Sequence, residues 1–96
     1  LMEANMTHVK GKNKGKIFMY TLSTCIWCKK AKALLKDLGV EYSYEDVDLL
    51  EGDEESRVTA EMEGYTSNVS YPLVIVDGKF FCAGFKEDKL KERFGK

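Results

Sequence analysis

Cys25 and Cys28, in the run Thr24-Cys25-Ile26-Trp27-Cys28-Lys29-Lys30, are the side chains of this sequence best suited to chemistry. Two thiols three positions apart can share one side of a helix's first turn and close an intramolecular disulfide. Cys25 falls where an apolar run hands over to a helical pattern, so it stands at a helix start. Unpaired backbone N–H groups and the positive end of the helix dipole stabilise an anion there. Lys29, Lys30 and Lys32 add cationic charge nearby. Both effects favour thiolate over thiol at Cys25, and the thiolate is the nucleophile of disulfide exchange. Lys29 and Lys30 stand at the unfavourable end of their own helix dipole, which marks them as serving the site. Cys28 lies at the edge of the apolar stripe and is expected to be the more buried thiol. Cys25 therefore attacks a disulfide, and Cys28 resolves the mixed disulfide that results.

Other chemistries find few residues to use. One C-x-x-C needs two more ligands to hold zinc, and only Cys82 and His8 remain, so no metal site is expected. A Cys–His hydrolase would have only His8, which reads as a surface residue of the N-terminal stretch. Cys82 follows Phe80-Phe81 on an expected strand without charged neighbours and reads as a packing cysteine.

The surrounding elements must place the pair. Ile17-Phe18-Met19-Tyr20 is a short apolar run that suits a strand buried on both faces. Trp27, Ala31, Leu34, Leu35 and Leu38 recur at helical spacing, and Gly39 closes that helix. Glu41 to Val47 reads as a strand, so residues 17–48 form a β-α-β unit with parallel strands and a right-handed crossover. An acidic segment, Glu51 to Glu55, opens a second helix ending at Gly64. Pro72 starts the buried strand Leu73 to Val76, Asp77-Gly78 marks a hairpin, and Lys79 to Cys82 returns. Gly84 breaks that strand, and Glu87 to Phe94 is a last helix.

The chain has 96 residues, 44% of them hydrophobic, with 15 Lys+Arg against 16 Asp+Glu. That composition suits one soluble globular domain. The near-zero net charge argues against nucleic acid or an acidic membrane surface as the main partner. No apolar run approaches the roughly 20 residues that span a bilayer, and no signal peptide is expected, so a cytoplasmic location is expected. Three cysteines are too few for a disulfide-stapled secreted scaffold. Residues 1–16, with Lys10, Lys12, Lys14 and Lys16 among small or polar residues, read as a flexible basic leader to a domain over 17–96. Such a leader could steer an acidic partner.

The element order, Cys25-Ile26-Trp27-Cys28, Ser70-Tyr71-Pro72 and Ala83-Gly84 together resemble the glutaredoxin branch of the thioredoxin fold, over about residues 17–95. The resemblance implies a thioredoxin-like α/β fold, β-α-β-α-β-β-α, with a four-stranded mixed sheet flanked by three helices. It implies Cys25 as nucleophile and Cys28 as resolving thiol, with Trp27 where the family's Cys-Pro-Tyr-Cys has Tyr. It implies a cis Tyr71–Pro72 bond beside the pair, with the Tyr71 backbone pairing to the substrate cysteine. Gly84 would admit the substrate backbone. The helix start at Phe85, Lys86 and Glu87 would receive the γ-glutamyl carboxylate of glutathione.

Several positions depart from the family pattern. Ile26 replaces the usual proline, and Leu22 stands where many glutathione-dependent members have lysine. The Asp that usually follows the double glycine is missing, with Glu87 or Asp88 nearby. These features resemble members that draw electrons from a thioredoxin reductase or another thiol. The expected protein is a monomeric thiol–disulfide oxidoreductase with no tightly bound cofactor. Its expected partners are disulfide-containing proteins or small thiols and a thioredoxin or glutathione reductase system. The rival reading is an iron–sulfur carrier, because some family members lacking the proline bridge a [2Fe–2S] cluster between subunits through their first cysteine. The β-branched Ile26 crowds the site and argues against it.

Overall fold

The structure, a computed structural model, describes residues 6–95. In chain order the elements are β1 (Met6–Val9), β2 (Ile17–Thr21), α1 (Ile26–Asp37), β3 (Tyr42–Asp46), α2 (Gly52–Tyr65), β4 (Leu73–Val76), β5 (Lys79–Ala83) and α3 (Glu87–Phe94). A single 3-10 turn, Val47–Leu49, links β3 to α2. The strands form one mixed sheet in the order β1-β3-β2-β4-β5. β2 and β3 run parallel, as the β-α-β reading requires, and the remaining pairs are antiparallel. This is the thioredoxin-like α/β fold, with five strands where four were expected.

The extra strand corrects the reading of the leader. Met6–Val9 pairs antiparallel with β3, from Met6 opposite Glu45 to Val9 opposite Tyr42. His8 Nε2 and Glu41 Oε2 lie 2.8 Å apart across that edge. The chain then loops back, with Lys12 N–H donating to Gly39 O and Glu41 N–H donating to Lys12 O, both at 2.8 Å. Backbone pairing along a sheet edge needs little apolar patterning, which is why a lysine-rich stretch could join the fold. Residues 1–5 of the expected leader lie outside the described residues.

The pleat explains the layers. Ile17 and Met19 face one side of β2, while Phe18 and Tyr20 face the other. On the first side, Ile17, Met19, Val40, Tyr42, Val74, Val76 and Cys82 pack with Ala31 and Leu35 of α1 and Leu90 and Phe94 of α3. On the second, Tyr20, Leu73 and Ile75 pack with Val58 and Met62 of α2. Each fully sealed Leu or Phe contributes about 1.5–3 kcal/mol through burial. Cys82, 4% exposed, sits in the first core. The hairpin turn holds Asp77 and Gly78 at φ 54° and 78°, the paired left-handed geometry that such sequences favour.

One detail of the α1 stripe differs from expectation. The side chains it buries are Cys28, Ala31 and Leu35, whereas Trp27 is 52% exposed. Helical spacing counts apolar residues without separating those that face the sheet from those beside them, and Trp27 is one position off the buried line.

Candidate active site

β2 and α1 meet at the cysteines. Cys25 is the N-cap of α1, in extended backbone conformation, and its sulfur accepts the Cys28 backbone N–H at 3.2 Å. A thiolate there satisfies one of the orphan donors at the helix start. No acidic side chain occupies the first turn of α1, so the sulfur is the anion-capable group at that end of the dipole. All three cysteines are free thiols; Cys25 is half-buried, and Cys28 has no exposed surface. Burial, followed by its interaction with Cys25, pushes the Cys28 thiol up to about 12. A hydrogen bond from the Leu22 backbone and the charge of Lys32 act in the opposite direction. Burial likewise pushes the Cys82 thiol up.

The lysines divide their tasks. Lys29 is exposed at the start of α1. Lys30 Nζ lies 5.0 Å from the centre of the Trp27 ring, a cation over an aromatic face. Lys32 turns inward: its Nζ is 3.3 Å from Asp46 Oδ1 and 3.9 Å from the centre of the Tyr44 ring. It is Lys32 whose charge reaches Cys28.

The loop before β4 meets the segment that follows β5. The Tyr71–Pro72 bond is cis, and Pro72 is fully buried. Gly84 N–H donates to Pro72 O at 2.8 Å, tying the two segments together. Gly84 adopts φ 87°, a left-handed conformation that favours glycine. Tyr71 is half-buried, and its phenol is pushed up, first by burial and then by the nearby charges of Cys28 and Asp48. Phe85 stacks on Trp27 with ring centres 6.2 Å apart, joining the start of α1 to the segment before α3. Ring stacking thus joins Phe85 to Trp27, a backbone hydrogen bond joins Gly84 to Pro72, and the charge of Cys28 reaches Tyr71.

Two participants carried no sequence signal. The Ser23 backbone N–H donates to Asp48 Oδ1 at 2.9 Å, and Ser23 Oγ donates to Oδ2 at 2.6 Å. They hold the turn before Cys25 against the 3-10 turn after β3. No periodicity or short motif links two polar residues so far apart in sequence.

Among the described residues, no group of three His, Cys, Asp or Glu is placed to hold a metal ion. Cys28 is sealed and Cys82 lies in the core, so the partly exposed sulfur of Cys25 is the one thiol offered at the surface. No helix among the described residues is long and apolar enough to cross a membrane.

A thioredoxin-like sheet presenting an N-capping thiol and a buried partner thiol defines the thiol oxidoreductase class. A glutaredoxin family model matches residues 17–81. The chain is similar to a glutaredoxin structure from Methanosarcina mazei Go1, at 44% identity and TM-score 0.85, over 96% of this chain and 89% of that one. It is also similar to methanoredoxin from Methanosarcina acetivorans, at 45% identity and TM-score 0.83, over 90% of each chain. A glutaredoxin from Archaeoglobus fulgidus matches at 36% identity and TM-score 0.73, over 81% of this chain and 84% of that one. No curated protein sequence matches the chain. The chain belongs to the glutaredoxin family.

Proposed function

We propose that the protein reduces protein or low-molecular-weight disulfides through the Cys25/Cys28 dithiol. The carrying observation is that Cys25 sits at the helix cap as sulfur acceptor while Cys28, its donor, keeps its own thiol buried. Cys25 thiolate attacks one sulfur of the substrate disulfide. A Cys25–substrate disulfide forms, and the other substrate sulfur leaves as a thiolate. Cys28 then loses its proton to water or to the departing thiolate and attacks Cys25 Sγ. The second substrate thiol is released, and the Cys25–Cys28 disulfide remains. Two electrons from a donor dithiol, or from two monothiols, restore the pair.

The rim supports substrate contact. Ile26 and Trp27, between the two cysteines, are 62% and 52% exposed. Lys30, Leu34, Phe85 and Glu87 line a shallow groove beside them. The Tyr71 backbone beside Pro72 would pair with the substrate cysteine, Gly84 would admit its backbone, and Lys29 and Lys30 would favour the Cys25 thiolate. In this reading the pair works without a resident cofactor, as a monomer in the cytoplasm, supplied by glutathione with its reductase or by a thioredoxin reductase. Leu22 and Ile26 favour the second supply, because they stand where glutathione-dependent members carry lysine and proline.

The deciding experiment follows turnover of one disulfide substrate with each donor system, for the native chain and for Cys25→Ser. The reading expects turnover with at least one donor and none for Cys25→Ser. Native-rate reduction by that variant would refute it. Visible absorption after anaerobic purification checks the cluster reading separately, and a colourless monomer is expected.

A further inference from the structure

The Ser23–Asp48 hydrogen bonds play no part in the exchange steps as written, yet they grip the turn that delivers the nucleophile. Leu22 to Cys25 is a hydrogen-bonded β-turn: Leu22 O accepts the Cys25 N–H at 3.2 Å, and Ser23 and Thr24 are its central residues. That bond lies at the long end of the normal range. The Ser23 N–H bond to Asp48 Oδ1 is shorter, at 2.9 Å, and the Ser23 hydroxyl adds a second bond to Oδ2 at 2.6 Å. The hydroxyl, then the backbone N–H, hold the Asp48 carboxyl below the usual carboxylate range, so both bonds are charge-assisted at neutral pH. Asp48 itself belongs to the Val47–Leu49 turn, which buried Val47 anchors and Leu50 N–H closes by donating to Val47 O at 3.3 Å.

This turn supports Cys25 on its N-terminal side. On the other side the helix takes over: Lys29 N–H donates to Cys25 O at 3.1 Å, and Cys28 N–H donates to the Cys25 sulfur at 3.2 Å. The sulfur meets that donor because the Cys25 backbone holds its extended cap conformation. A turn free to move would swing the cap residue, and the sulfur with it. Asp48 is exposed, so losing its side chain opens no cavity, and water can replace it on half-buried Ser23. Its effect on the site is therefore positional.

We infer that Ser23 and Asp48 are positioning residues for the nucleophile: their clamp fixes the Leu22–Cys25 turn and so keeps the Cys25 sulfur on the Cys28 N–H, as a thiolate ready to attack. The inference rests on the dithiol reading above. In the step concerned, the Cys25 thiolate forms an S–S bond to one substrate sulfur, the substrate S–S bond breaks, and the other sulfur leaves as a thiolate with the electron pair. The sign separates this role from a plain charge effect. A carboxylate near a thiolate disfavours the thiolate. An Asp48 acting through charge alone would therefore make Cys25 more reactive when removed, whereas loss of a clamp makes it less reactive.

The test uses the full chain carrying Cys28→Ser, which keeps the backbone donor and leaves Cys25 as the one reactive thiol beside buried Cys82. Iodoacetamide alkylation is timed from about pH 6 to 10, and peptide masses place the adduct on Cys25. At pH 7, Asp48→Ala should react about threefold more slowly than its parent, the loss expected for a weakened hydrogen bond to the sulfur. Near pH 10, above the ordinary cysteine value of about 8.5, the thiol is ionised in both chains, and the two rates should agree within about twofold. Asp48→Asn, which keeps an acceptor for the Ser23 N–H, should recover part of the rate lost at pH 7. An Asp48→Ala rate equal to or above the parent's at pH 7, a slowing that persists unchanged near pH 10, or no recovery in Asp48→Asn would overturn the inference. Should Asp48→Ala fail to fold, Ser23→Ala, slowed about twofold at pH 7, decides by the same two pH criteria. Alkylation needs no disulfide substrate, so a native chain that turns over no disulfide refutes the dithiol reading while this assay still judges the clamp.

Discussion

Cys28 donates its backbone N–H to the sulfur of Cys25 at 3.2 Å while its own side chain is sealed from solvent. One residue thus supports the nucleophile and waits as the second one. The relationship predicts different fates for two single substitutions. Cys25→Ser removes the attacking sulfur, so disulfide reduction should fall to background. Cys28→Ser keeps the backbone donor and loses only the resolving thiol. It should form the mixed disulfide at close to the native rate and then stall, visible as an adduct by mass spectrometry. A Cys28→Ser chain that completes turnover on a protein disulfide at the native rate would contradict these roles.

The position of the Cys28 thiol gives a pH dependence. Burial is the main reason it is pushed up to about 12, with the neighbouring Cys25 adding to it. Once Cys25 is tied up in a mixed disulfide its charge is gone, but the burial remains. Below the thiol's pKa the thiolate fraction grows about tenfold per pH unit, so the resolving rate should climb with pH from about 6 to 9 without levelling. Rapid-quench kinetics of the second step across that range provide the check, and a plateau below about pH 8 would contradict it.

Much of this arrangement was legible because it is local. Ile17 to Tyr20, the helix stop at Gly39 and the Asp77-Gly78 turn carry their instructions within a few residues, and the structure follows them. Cys25 could be placed at a helix start from its immediate neighbours. What escaped depends on tertiary packing. In Met6–Val9 only Val9 is drawn even partly inside, so edge pairing left almost no pattern. Lys29, Lys30 and Lys32 look alike on paper, and packing alone turned Lys32 toward Asp46. Ser23 and Asp48 meet only because β2 and β3 run parallel and end side by side.

Gly11 offers a test of the edge strand. A Cβ there would lie 2.6 Å from Val40 C and 2.7 Å from Gly39 O, both backbone atoms that a rotamer change cannot move. Gly11→Ala should therefore disturb the loop in which Lys12 pairs with Gly39 and Glu41. The expected result is a destabilisation of about 1–3 kcal/mol in denaturant unfolding, with faster amide exchange at Met6–Val9. Disulfide reduction should change little, because β1 is separated from β2 by β3. Unchanged exchange at the strand would show that the close approach does not hold it.

Glu45 sets up the last prediction. It is 5% exposed, lies beneath α2, and has one carboxylate oxygen, Oε2, without a hydrogen-bond partner. Burial, the largest effect, raises its carboxyl above the usual range; Arg57 partly offsets this, while Glu54 and Glu61 add to it. A raised carboxyl in the folded chain means that the folded state binds the proton more tightly than the unfolded state. The associated stability is complete below the unfolded carboxyl's pKa and is lost as pH rises through the higher folded value. At neutral pH the buried carboxylate therefore opposes folding. Glu45→Gln keeps the shape and removes the charge, so it should raise the melting temperature by a few degrees near pH 7 and change it little near pH 4. Thermal unfolding of both chains across that range tests this, and a stabilisation that grows toward acid would contradict the direction. The opposing contribution is Arg57, already 2.5 Å from Glu61 through Nη1, with Nη2 buried and unpartnered. Were the Arg57–Glu45 attraction the larger effect, Glu45→Gln would instead destabilise the chain at pH 7, so the sign of the shift decides between burial and ion pairing.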